Sequence, residues 1–204
     1  MRQRLSIAGL ALWARIGCAP VSIDSGTSTL AEPSLPTIRR QTVVYSLVAK
    51  SLAELVAEHR ALVARREAPE YLGYTEWSVA FTPSSGRGAH TACAVEPVAL
   101  VVTVTTTLPR AVNSDQFSPS DSAQWHTFLP ALARHEARHD SVIVSEAFAF
   151  LRQMETEGNG GLVTKSISQC VGELRARIDR AAGVLDQITQ HGRTDGAVLV
   201  LAPP

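Results

Sequence analysis

Apolar residues recur along this chain with a helical period in three stretches and with a strand-like period in three others. The longest helical stretch follows Ser118-Pro119-Ser120-Asp121. That is a start signal, with Ser118 as the cap, proline at the first helical position and an acid three residues after the cap. Trp125, Leu129, Leu132, Ile143, Ala147, Phe150 and Met154 then fall on one stripe at about 100° per residue. Arg134, Arg138, Ser141 and Ser145 fall on the opposite, solvent face. Pro130 removes one backbone bond inside this helix and is expected to bend its axis. Gly158-Asn159-Gly160-Gly161 ends it near Glu157. A second stripe, Leu52, Leu55, Val56, His59, Leu62 and Val63, predicts a helix over Leu47 to Arg65, with His59 at its edge in a structural role. A third, Cys170, Leu174, Ile178, Ala181 and Leu185, predicts one from about Val163 to Gln190, capped by Gly192.

The strand-like runs are Gln41 to Ser46, Tyr74 to Phe81 and Ala89 to Leu108. Trp77 is the expected core anchor of the second. In the third, Leu100, Val102 and Val104 alternate with Val101, Thr103 and Thr105, giving one apolar and one threonine-lined face. Pro83 to Gly88 reads as a turn, Pro109 as the end of the third strand, and Asn113 to Ser120 as a polar loop. Ala197 to Ala202 is an apolar tail that adds a short strand or packs on the core. The expected class is α+β, with a small antiparallel sheet packed against three main helices.

Chemistry enters on the central helix, at His135-Glu136-Ala137-Arg138-His139. This is an HExxH pentad. Helical positions four apart sit one above the other, so His135 and His139 can offer two imidazole nitrogens to one metal ion. Glu136 lies slightly to one side, within reach of a water on that ion, as a general base. The pentad falls on the apolar stripe, where two histidines and an acid are costly unless a cation offsets them. The alternative is two ordinary core histidines and a buried acid with a local partner. The first reading makes the fold zincin-like, with HExxH on the central helix and Zn2+ as cofactor.

The chain has 204 residues, 45% of them hydrophobic, which suits one cored domain plus a processed terminus. Nineteen basic and nineteen acidic residues give a formal net charge of zero. That balance argues against nucleic acid or an anionic membrane surface as main partner. Arg2 and Arg4, followed by a mostly apolar run from Leu5 to Ile16, read as a signal peptide over residues 1–20. Cys18 adds the alternative of a lipid anchor. Residues 21–36, rich in Ser, Thr, Pro and Gly, read as a flexible tether, and residues 37–204 as the domain. No apolar run in that domain is long enough to span a bilayer. Export leaves Cys93 and Cys170 in an oxidising compartment, where a disulfide between them is expected.

Five features together carry a resemblance. They are Gly73-Tyr74-Thr75-Glu76-Trp77-Ser78, the strand ending Thr107-Leu108-Pro109-Arg110, the pentad preceded by Trp125 and Leu132, the cysteine pair, and His191-Gly192-Arg193-Thr194-Asp195-Gly196-Ala197. With them the chain resembles, from about Tyr45 to Ala197, a bacterial family of predicted secreted zinc-dependent proteases that is otherwise a domain of unknown function. Members usually carry glycine where Arg138 stands, a solvent-facing departure expected to matter little. Pro130 is the other departure.

A catalytic zinc normally takes three protein ligands. Glu146, Glu155 and Glu157 lie too far along the pentad helix. Glu173 on the last helix is one candidate for the third. His191 is the favoured one, being placed where the chain turns and lying in the closing His-Gly motif; a helix-capping role is its alternative. Tyr45, Tyr71, Tyr74 and Arg193 are candidate donors to a developing oxyanion. The Ala99 to Thr107 strand is a candidate edge for pairing with a substrate peptide. The resulting expectation is an exported, periplasmic or secreted zinc metallopeptidase acting on peptides or proteins. The alternatives are a non-catalytic zinc-binding envelope protein and a zinc amidase acting on cell-wall peptides.

Overall fold

The computed structural model of the chain describes residues 35–83, 98–159 and 165–201. The signal peptide, nearly all of the tether, Cys18, Cys93 and the turn beyond Pro83 lie outside the described residues. The elements in order are β1 (Thr37–Leu47), α1 (Leu52–Ala64), β2 (Tyr74–Pro83), β3 (Val98–Ala111), α2 (Pro119–Asn159) and α3 (Ile167–Thr189). Short 3-10 turns occupy Ser114–Gln116 and Arg193–Asp195.

The three strands make one sheet in the order β1-β3-β2. β2 runs antiparallel to β3, but β1 runs parallel to it, so the sheet is mixed rather than wholly antiparallel. The reason lies in the connections. β1 ends opposite Ala111 and β2 begins opposite Thr107, at the same end of the sheet. α1 therefore only has to turn the chain round, and β3 takes the central place between the two. That place suits its buried face of Leu100, Val102 and Val104. β3 runs on through Pro109 to Ala111 instead of stopping at Pro109. Past Thr107 it has β1 alone as a neighbour, and a strand with edge character tolerates proline. Bonded on both sides over Val101 to Thr107, β3 has no free edge there for a substrate peptide; the open edge on that side belongs to β2.

α2 starts as expected, with the Asp121 amide donating to Ser118 Oγ at 3.1 Å. It is continuous through Pro130. The carbonyl that this proline leaves unpaired belongs to His126, which is exposed and open to water. α1 starts later than expected, at Leu52, because Ser51 caps it and Leu47 ends β1.

Two cores meet on α2. Leu132 and the residues before it pack with α1 in a cluster that holds Leu47, Leu52, Leu55, Phe117, Trp125 and Phe128. From Ile143 onward α2 joins α3 against the sheet, through Ala147, Phe150, Met154, Leu174 and Ile178 among others. The pentad occupies the gap between them. Cys170, fully buried in the second cluster, is disulfide-bonded. The tail forms no strand: Ala197 and Leu199 pack against the first cluster. No helix among the described residues is long and apolar enough to cross a membrane.

Candidate metal centre

His135 and Glu136 are each 4% exposed, although ionisable side chains are ordinarily left in water. Their helix carries them into the space between the two cores, one turn from His139. The two imidazole rings stand nearly perpendicular, at 88°, and their Nε2 atoms are 3.3 Å apart. Asp186, on the facing side of α3, completes the group. Its Oδ1 lies 3.0 Å from His139 Nε2 and 3.5 Å from His135 Nε2. His135 Nδ1 is engaged by Asp195 Oδ2 at 3.1 Å, and Asp195 Oδ1 accepts a bond from Arg138 at 2.6 Å. His135, His139 and Asp186 thus bring three ligand atoms within 4.8 Å of one another, a donor set able to hold one metal ion.

The fold brings together His135, Glu136 and His139 as expected. The third position is taken by Asp186, which the sequence reading passed over. Its available signal was position: it follows Leu185 on the edge of the buried stripe of α3, five residues before His191. His191 stands at the rim. Its side chain is 65% exposed and its Nδ1 is 3.7 Å from Asp186 Oδ1. Its ring stacks on Tyr71 with centroids 5.9 Å apart. Glu173 is away from the group, paired with Lys165 at 2.9 Å. Thirteen residues of helix separate it from Asp186, which is about 20 Å of rise. Glu146 pairs with Arg177, and Glu157 with Lys165. His59 bonds the Pro69 carbonyl at 3.0 Å, the structural role expected of it.

Glu136 has its own setting. Thr75, on β2, donates to Oε2 at 2.7 Å. The other oxygen faces Gly73, where a Cβ would stand 2.7 Å from it. Burial pushes the carboxyl above its ordinary range. The Thr75 bond and the charges of His139 and His135 pull it back, and Asp186 adds a smaller upward push.

A cleft of about 580 Å³ opens over the group, with Tyr71, Tyr74, Trp77, Arg175 and Asp179 among the residues that line it. Of the four candidate oxyanion donors, Tyr71 and Tyr74 line this cleft; Tyr45 and Arg193 do not. The Tyr45 hydroxyl donates instead to the Leu72 carbonyl at 3.0 Å, and burial raises its pKa. It holds the segment that carries Tyr71 and Gly73.

Residues 42–192 match the model of a family described as "Bacterial protein of unknown function (DUF922)". No curated protein and no solved structure matches the chain.

Proposed function

The chain belongs to the bacterial DUF922 family, whose function is unknown, so its activity has to be read from its own site, and we propose a zinc-dependent hydrolase of peptide bonds. The observation that carries the proposal is the triangle of ligand atoms. Zinc bonds imidazole nitrogen at about 2.0–2.1 Å and carboxylate oxygen at about 2.0–2.2 Å, so a tetrahedral site has ligand–ligand edges of about 3.3–3.5 Å. Two edges here, 3.3 and 3.5 Å, fall in that range, and the third, between His139 and Asp186, is shorter at 3.0 Å. Two histidines and one carboxylate also leave a tetrahedral ion one position short of closure, the pattern of catalytic rather than structural sites.

Bound there, the ion supplies Lewis acidity and brings the pKa of a water down towards ~7. The rest falls to the chain. Glu136 Oε1, the oxygen not engaged by Thr75, accepts the proton of the attacking water and later hands it to the leaving amine. Thr75 and Gly73 keep that carboxylate from turning away. Leu132 and Ile143, buried in the lining of the cleft, keep bulk water from that side of the group. Tyr71 and Tyr74 stand at the mouth, where a hydroxyl can meet the carbonyl oxygen of a bound peptide. The open edge of β2 borders the cleft through Tyr74, Thr75, Glu76 and Trp77, and can pair with an extended substrate.

We place this activity outside the cytoplasm. The signal-like residues 1–20 support that placement, and so does the disulfide-bonded Cys170, since structural disulfides belong to oxidising compartments.

The test is metal analysis of the purified chain by mass spectrometry, followed by digestion of a broad peptide mixture. A parallel digestion of peptidoglycan fragments separates a cell-wall amidase from a general peptidase. About one zinc per chain is expected, with Glu136→Gln keeping the zinc and losing cleavage. A chain that takes up no zinc, or a Glu136→Gln variant as fast as wild type, overturns the proposal.

A further inference from the structure

We infer that Asp195 is the positioning residue that fixes which nitrogen His135 turns to the metal, and that the turn after α3 exists to deliver it. The consequence for metal binding rests on the hydrolase reading; the geometry does not.

The turn is unusual backbone. Gln190, His191 and Gly192 have φ of 51°, 53° and 81°, three left-handed residues in succession, and Gly196 follows at 89°. Two of the three carry a Cβ, which that region disfavours, so the conformation persists only if its surroundings impose it. They do. Thr189 is fully buried; its hydroxyl donates to the Leu185 carbonyl at 2.8 Å and accepts from the Gly192 amide at 3.3 Å. The His191 amide bonds the Asp186 carbonyl at 2.9 Å, and the amides of Asp195 and Ala197 both bond the Gly192 carbonyl at 3.0 Å.

What this turn touches is the His135 ring. A Cβ on Gly192 would stand 3.0 Å from Cγ and 3.1 Å from Cδ2, so only glycine lets the backbone lie that close. Asp195 then meets Nδ1 at 3.1 Å. A carboxylate accepts and does not donate, so the ring proton sits on Nδ1. Nε2 is left as a bare lone pair facing His139 and Asp186. Without Asp195 the proton is free to move to Nε2, where it points at Asp186 and fills the place a metal needs. Arg138 holds the second oxygen of Asp195 and so fixes the plane of the carboxylate. This gives Arg138, on the exposed face of α2, a part in the site. Being half-exposed, it adds less than Asp195 itself.

The experiment uses the full chain with Asp195→Ala, Asp195→Asn and Arg138→Ala. Imidazole nitrogen–proton correlation spectra of the metal-free protein report the His135 tautomer. Competition against a chromophoric chelator reports zinc affinity, and circular dichroism reports the fold. In the wild type His135 is expected as the Nδ1–H tautomer. Asp195→Ala should shift it towards Nε2–H and weaken zinc binding by about 10–100-fold with the fold unchanged. Asp195→Asn, whose amide oxygen still accepts, should lose less. An Asp195→Ala protein that keeps the Nδ1–H tautomer and binds zinc as tightly as wild type overturns the inference. If Asp195→Ala does not fold, Arg138→Ala decides: a several-fold loss of zinc affinity supports the inference, and no change overturns it. A wild type without zinc affinity overturns the hydrolase reading alone, because the tautomer of the metal-free chain still decides the role of Asp195.

Discussion

Gly73 is not among the residues with positive φ, so its backbone makes no demand for glycine. Its demand is space. A methyl group there would lie 2.7 Å from Glu136 Oε1, 2.7 Å from Leu132 Cδ1 and 2.8 Å from Leu132 Cγ. Neither neighbour yields cheaply. Leu132 is 6% exposed and packed in a core, and Glu136 is anchored through its other oxygen by Thr75 at 2.7 Å. Gly73→Ala therefore acts as overpacking, at about 1–3 kcal/mol. At 2 kcal/mol, and about 2–4 °C per kcal/mol for a domain of this size, the melting temperature should fall by about 4–8 °C. The carboxylate is the softer side of the contact. A displacement of about 1 Å at a reacting group costs on the order of 100-fold in rate. Activity should therefore fall far more than stability, while zinc affinity stays near wild type because His135, His139 and Asp186 are untouched. Thermal unfolding, zinc competition and peptide digestion on the same preparation separate the three. Gly172→Ala is the control, since a Cβ on that helical glycine meets nothing within 4 Å and should stabilise by up to about 1 kcal/mol. A Gly73→Ala protein that melts and cleaves like wild type refutes the reasoning.

Other outcomes follow from the same geometry. Glu136→Gln removes a buried group whose charged form is disfavoured by desolvation, so in the presence of chelator the variant should melt above the wild type; a lower melting point shows that the Thr75 bond outweighs burial. Asp186→Ala should weaken zinc binding by orders of magnitude, His191→Ala much less and Glu173→Ala not at all, as read by chelator competition; the reverse order would return the third ligand to His191 or Glu173. Gln153 and Lys165 hold the Glu157 carboxyl below its ordinary range, and Glu173, with Glu157 second, holds Lys165 above its own. The Glu157 contribution is thus full above the ordinary carboxylate range and fades as pH falls through the depressed value, while the Lys165 contribution fades only as pH rises through its raised one. Amide protection factors at the end of α2, taken relative to intrinsic exchange at each pH, should therefore drop on acidification before those of the rest of the helix, and protection that changes equally with pH at both ends would contradict this.

What could be read from the sequence was what depends on neighbours along the chain. The Ser118 cap, the buried stripe of α2 and the inward pentad all follow from local spacing, and the structure keeps them. Asp186 was not legible, because an acid at the edge of an amphipathic stripe meets the two histidines only once α3 has chosen its rotation against α2. His191 lies at the rim of the group and not within it for a related reason. The left-handed Gln190 and His191 turn the chain before Gly192, and no sequence signal announces two such residues that are not glycine. The parallel pairing of β1 with β3 escaped notice too, because strands close in sequence suggest a meander and the inserted α1 permits something else.

The spacing of the site along the chain has a bearing on timing. Asp186 follows His139 by 47 residues, and Asp195 follows His135 by 60. A chain synthesised or threaded across a membrane from its N-terminus presents the pentad long before the residues that complete it. During that interval the two histidines stand without Asp186, and nothing fixes the His135 proton. On the proposed reading, a chain still being delivered lacks the donor that completes the group, and activity waits until α3 and its turn have closed over α2. A truncation that ends before Asp186 would keep the HExxH signature in full and have no site at all.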